Sequence, residues 1–242
     1  MMKEIKLIAP VALIVVIAAG SVTAGAQWSK KRYTEWSEKE AQKVLDDSPW
    51  GQTQTFTNTS RMFNTGPGRG NAGGSPEEGS ADHINFRIRF LSATPIRQAL
   101  SRSIELRQKG EMDGQLAARL KAFAEPGGFP DYIVIAVTVD AREQKGQLQQ
   151  ADALLQTRTT AELKNNTYLA VKGGQRVFIE EFQQPKRDGL GAKFLFPRMI
   201  NGKPTISEET GEVKFYSELS KDYTLNMRFK VKDMMYDGKL DY

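Results

Sequence analysis

Few stretches of this chain place reactive residue types at a spacing that chemistry can use. Gly68-Arg69-Gly70-Asn71-Ala72-Gly73 has the form G-x-G-x-x-G, in which backbone amides at a strand-to-helix turn cradle a pyrophosphate. Its flanks, Asn64-Thr65-Gly66-Pro67 and Gly74-Ser75-Pro76, carry neither a strand nor a helix pattern, so a flexible loop is the plainer reading and no cofactor is expected. His83 is the only histidine, and cysteine is absent. A serine–histidine triad would need His83 as its base, yet no G-x-S-x-G nucleophile elbow occurs. Without cysteine there is no thiol nucleophile and no thiolate metal site; a strand-edge histidine suffices for His83.

Carboxylates occur as neighbours: Asp46-Asp47, Glu77-Glu78, Glu180-Glu181 and Glu208-Glu209. Glycoside hydrolysis needs two carboxyls roughly 5–10 Å apart on one sugar. Adjacent strand residues point to opposite faces, so a catalytic pair would have to come from separate strands. Binding chemistry has two candidates. Trp28, Trp36 and Trp50 are the only tryptophans; they serve either as sugar-stacking platforms or as buried anchors for a short terminal helix. Lys186, Arg187, Lys193, Arg198 and Lys203 gather loosely around Gly189-Leu190-Gly191, which fits an anionic ligand or a solvated basic loop.

The elements that must position these residues are organised around Asp131-Tyr-Ile-Val-Ile-Ala-Val-Thr-Val-Asp140. A continuous apolar run this short predicts a strand covered on both faces. Ser37-Glu38-Lys39-Glu40 is a capping box, with Trp36 and Ala41 placed as a hydrophobic staple, and Pro49 stops that helix. Residues 52–57 alternate weakly as a strand. Residues 58–82 are rich in glycine and poor in apolar residues, the composition of a flexible loop. Ile84, Phe86, Ile88 and Phe90 alternate with Asn85, Arg87 and Arg89, which predicts a half-buried strand with a basic solvent face.

Thr94-Pro95 opens a helix, and a break near Gly110 makes two helices of the apolar positions Ile96–Ile104 and Met112–Phe123. Residues 147–156 form a third; if it crosses from strand 132–139 to a strand near 158–163, those two strands are parallel. From there the pattern is β: Tyr168–Val171, a Gly173-Gly174 turn, a return strand through Val177, Ile179 and Phe182, then Phe194–Phe196, Val213–Tyr216, Leu225–Val231 and a final Asp237-Gly238 turn. The fold class expected is α+β, an antiparallel sheet or sandwich with a helical hairpin insertion and a short N-terminal cap helix.

Lys3, Lys6, the apolar segment Leu7–Ala19 and Ala24-Gly25-Ala26 have the order of a signal peptide spanning 1–26, leaving 27–242 as a single domain; kept uncleaved, the same segment would be an anchor. The expected location is periplasmic or extracellular, with membrane contact only through that segment. The net charge is +5, with both signs interspersed and no basic block on one element, so nucleic acid is not an expected partner.

Tyr33-x-x-Trp36-Ser37-x-Lys39-Glu40, Asp47-Ser48-Pro49-Trp50, Phe194-Leu195-Phe196-Pro197-Arg198 and Met234-Met235-Tyr236-Asp237-Gly238-Lys239-Leu240 resemble an uncharacterised family of secreted bacterial proteins. The likeness covers most of residues 27–242 outside the glycine-rich loop. It implies export and a single co-folded unit, and it supplies no catalytic residue. The function expected is a non-enzymatic envelope or secreted module that binds a protein partner or a cell-surface polymer. The alternatives are a hydrolase with carboxylates drawn from separate strands and a carbohydrate-binding module built on the N-terminal tryptophans.

Overall fold

The computed structural model describes residues 31–58, 82–108, 110–141 and 145–242. The signal segment, Trp28 and the G-x-G-x-x-G stretch lie outside the described residues, as does nearly all of the expected loop at 58–82. In chain order the elements are α1 (Glu38–Asp46), β1 (Gly51–Asn58), β2 (Asp82–Phe90), α2 (Thr94–Arg107), α3 (Gly114–Ala124), β3 (Tyr132–Ala141), α4 (Lys145–Thr157), α5 (Thr160–Leu163), β4 (Thr167–Ala170), β5 (Arg176–Phe178), β6 (Glu181–Gln183), β7 (Ala192–Pro197), β8 (Met199–Ile200), β9 (Lys203–Pro204), β10 (Glu212–Glu218), β11 (Thr224–Lys230), β12 (Met235–Tyr236) and β13 (Lys239–Leu240). The fold is α+β with antiparallel sheets.

The apolar run at 132–139 becomes β3, the middle strand of the sheet β1-β2-β3-β7-β6. Ile133–Val137 are at most 3% exposed, so this strand is covered on both faces. A second sheet, β11-β10-β4-β5, packs against the first. Aromatic pairs fill the space between them: Phe90 with Phe229 at 4.8 Å, Phe194 with Phe215 at 5.3 Å and Phe86 with Tyr223 at 5.5 Å between ring centroids. Among the described residues no helix is long and apolar enough to cross a membrane.

Both sides of this sandwich are closed. On one, the Gln54 side chain of β1 reaches the free edge of β11, donating to Thr224 O at 2.9 Å and accepting from Asn226 N at 2.8 Å. On the other, the chain passes directly from β5 to β6. Ile179 N donates to Thr167 O in the second sheet, and Glu180 N donates to Leu195 O in the first. The single return strand expected through Val177, Ile179 and Phe182 is therefore two strands in two sheets.

Two further expectations are corrected. Residues 160–163 are helical, because Thr159 and Glu162 form a capping box that nucleates a turn there. The strand that follows enters the other sheet, so α4 does not join parallel strands. At α2, Thr94 is the first helical residue and Ala93 the cap, without a side-chain bond of its own. The Asp241 carboxylate accepts from Thr94 N at 3.0 Å instead. A charge at a helix N-terminus offsets both the open amide and the helix dipole.

Candidate functional site

The residues singled out in the sequence are mostly occupied by the fold. The capping box at Ser37 and Glu40 forms as the spacing requires, and it turns Trp36 inward, where it is 0% exposed. Trp50 is 1% exposed; its indole Nε1 donates to Asp241 O at 2.6 Å and its ring meets Tyr236 edge-on at 6.3 Å. Neither ring presents a face to solvent, which corrects the sugar-platform expectation for this pair. The C-terminal segment gathers partners at this end of the sandwich: Trp50 packs against Tyr236 and Asp241, and Arg198 against Tyr242.

Arg198 donates to the carbonyls of Phe129, Tyr132 and Tyr242, and its guanidinium lies 4.6 Å over the Tyr242 ring. It is a brace for the main chain. Lys193 is buried and pairs with Asp188 at 2.9 Å. Burial pushes the Asp188 carboxyl up, but the bonds from Lys193 and the Leu190 amide outweigh that and hold it below its ordinary value. Gly191 has φ +85°, and a Cβ there would sit 2.3 Å from Val137 O; both require glycine where this loop passes close to β3. Lys186, Arg187 and Lys203 are exposed. The five basic residues therefore do not form one site.

The basic face expected on β2 is covered by α1. Arg89 is 7% exposed; its Nε donates to Leu45 O at the end of α1 and its Nη2 meets Asp46 at 2.7 Å. Burial lowers its pKa and Asp46 opposes that shift. Arg87 bridges Asp46, at 3.4 Å, and Asp140, while Asn85 ties Asp140 to Thr55. His83 lies exposed on this strand, its Nδ1 3.1 Å from Thr57 Oγ1. Among the described residues no group of three or more His, Cys, Asp or Glu side chains could hold a metal ion.

The outer face of the second sheet differs. The register places Asn226, Tyr216, Tyr168 and Phe178 in one row across four strands, and Arg228, Lys214, Ala170 and Arg176 in the next. Alternation turns Leu169, Val177, Phe215 and Leu225 into the core and the two rows outward. Every residue of both rows is at least partly exposed, and Phe178 is 43% exposed. Tyr168 and Tyr216 stack at 4.9 Å with 19° between their planes. Phe178 meets Tyr168 edge-on at 5.8 Å, and the Arg176 guanidinium lies 4.6 Å over the Tyr168 ring. Strand spacing makes each row about 14 Å long, with about 7 Å between the rows. These two rows place aromatic and cationic groups side by side on an open face.

The alternation around Tyr168 and Tyr216 is visible in the sequence, but their meeting depends on a register that pairs residues 168 and 216. No local pattern encodes it. Two polar clefts lie elsewhere, one of ≈ 310 Å³ between Gln175 and Lys203 and one of ≈ 340 Å³ beside Arg158. In the second, Arg158 is already engaged with Leu219 O and Glu162.

In comparisons with known proteins, no family model matches this chain, and neither a curated protein nor a solved structure matches it.

Proposed function

We propose that this chain is an exported, non-enzymatic module that holds a cell-surface polymer on the outer face of its second sheet. The observation that carries the reading is the exposed row Tyr216–Tyr168–Phe178, set across the strands rather than buried in the sandwich. Exposed apolar groups rimmed by polar ones mark interaction surfaces on monomeric proteins, and an extended row suits a chain-like ligand better than a compact one. Export rests on the order of basic, apolar and small residues at the N-terminus and on the likeness to secreted proteins.

The hydrolase alternative needs one carboxyl held protonated by its surroundings. Among the described residues, the carboxyls with displaced pKa values move the other way. Glu35 is lowered by Arg32, Glu40 by Lys31 and the Ser37 amide, and Glu162 by Thr159.

Retention on immobilised cell-envelope polysaccharide tests the proposal. The double variant Tyr168→Ala/Phe178→Ala should keep its fold and lose retention. Retention unchanged by this variant would overturn the assignment of this face.

A further inference from the structure

Resting on that reading, we infer that the polymer is an acidic polysaccharide lying across the strands, its sugars against the aromatic row and its carboxylates against the row of cations. The outward-facing charges of this sheet are Arg176, Lys214, Arg228 and Lys230 against Glu212 and Glu218. Arg228 is partly neutralised by Glu212 at 3.6 Å. Among the described residues Lys214 and Arg176 have no carboxylate partner, so positive charge remains next to the rings. The contrast with β2 is direct, since there Arg87 and Arg89 both meet Asp46. A polymer carrying an anion on each unit complements two adjacent rows better than a neutral one does.

The ring geometry decides between a sugar chain and a single-stranded nucleic acid, the other polymer that uses aromatic and basic groups together. Base stacking needs open ring faces. Here Tyr216 covers one face of Tyr168, and Arg176, from the strand on the opposite side, covers the other. Phe178 is the most open of the three rings, 43% exposed, while Tyr168 and Tyr216 are partly covered. Neither tyrosine hydroxyl has a hydrogen-bond partner among the described residues. Hydroxyls beside guanidinium and ammonium groups suit a ligand made of hydroxyls and carboxylates.

The test is affinity electrophoresis of the full exported chain in gels holding polygalacturonate, its methyl-esterified form or single-stranded poly(dT). The acidic polymer should retard the protein, and the esterified form, with the same sugars but blocked charges, should not. Arg176→Gln combined with Lys214→Gln should weaken the retardation about tenfold, the scale expected of two partly exposed charge contacts. Arg176→Lys should restore part of it, and thermal melts should show all variants folded.

Equal retardation by both forms of the polysaccharide would overturn the acidic assignment and leave polymer binding standing. Stronger retardation by poly(dT) would overturn it in favour of nucleic acid. If no polymer retards the folded protein, this inference and the binding proposal fail together.

Discussion

The two sheets of this molecule carry similar side chains on their outer faces and treat them in opposite ways. On the first sheet, Arg87 and Arg89 stand two residues apart on β2; Arg89 is buried under the end of α1 and Arg87 is half-buried beside it, with Asp46 and Asp140 meeting their charge. On the second sheet, Arg176 lies over the Tyr168 ring in one row with Lys214 and Arg228, and among the described residues no helix lies on them. A cation on a strand therefore says little until its cover is known. Covered and paired, it fixes a helix to a sheet; uncovered and unpaired, it is available to a ligand.

The largest effect is expected at Trp50, beside the layer that covers the first sheet. Trp50→Ala should cost about 3–5 kcal/mol through the cavity left at a site 1% exposed, read as a shift in the urea midpoint. An unchanged midpoint would mean that the N-terminal layer is not part of the cooperative unit.

Next in size is Asp46→Ala. It leaves Arg89 buried with only the Leu45 carbonyl as partner, a loss of about 3 kcal/mol for a broken buried pair. If urea denaturation gave a loss under about 0.5 kcal/mol, the two faces would be energetically alike.

Tyr216→Ala on the open face sharpens the contrast. Cross-strand pairs of this kind contribute about 0.2–1 kcal/mol, so the melting temperature should barely move while polymer retention falls. A drop as large as that of Asp46→Ala would make the stacked tyrosines a structural feature first.

The smallest effect is one of pH. Lys31 and the Ser37 cap hold Glu40 at about 2 against an ordinary 4.5. A carboxyl depressed by folding contributes stability that is present above 4.5 and lost as pH falls toward 2. Because the group is largely solvated, a few tenths of a kcal/mol are at stake. Glu40→Gln should flatten that part of an acid titration of stability by about this amount; a curve identical to the wild type would show that the cap does not hold α1.

The sequence disclosed what local pattern controls. The unbroken run Ile133–Val137 announced the covered central strand, Ser37 and Glu40 announced the first helix, and the spacing around Gly110 separated α2 from α3. It did not disclose what depends on partners far along the chain. Arg89 sits in a clean alternation that reads as solvent-facing, and only the return of α1 over β2 buries it. Ile179 and Glu180 are consecutive, yet their amides bond to different sheets. The open aromatic row belongs with these, since Tyr168, Phe178 and Tyr216 are each ordinary strand residues until the register lines them up.

The remote cap on α2 has a consequence in time. Thr94 and Asp241 are 147 residues apart, so at roughly 5–20 residues per second the ribosome needs about 7–30 s to supply the carboxylate after the helix start has been made. Trp50, 191 residues from Asp241, waits longer still for that residue's carbonyl, about 10–40 s at the same rate. The first half of the chain should therefore mature late, its layer locking when the last hairpin arrives. Protease protection of stalled nascent chains should rise sharply between arrest points that withhold and expose residue 241. A chain protected well before that point would show that the early elements lock without their late partner.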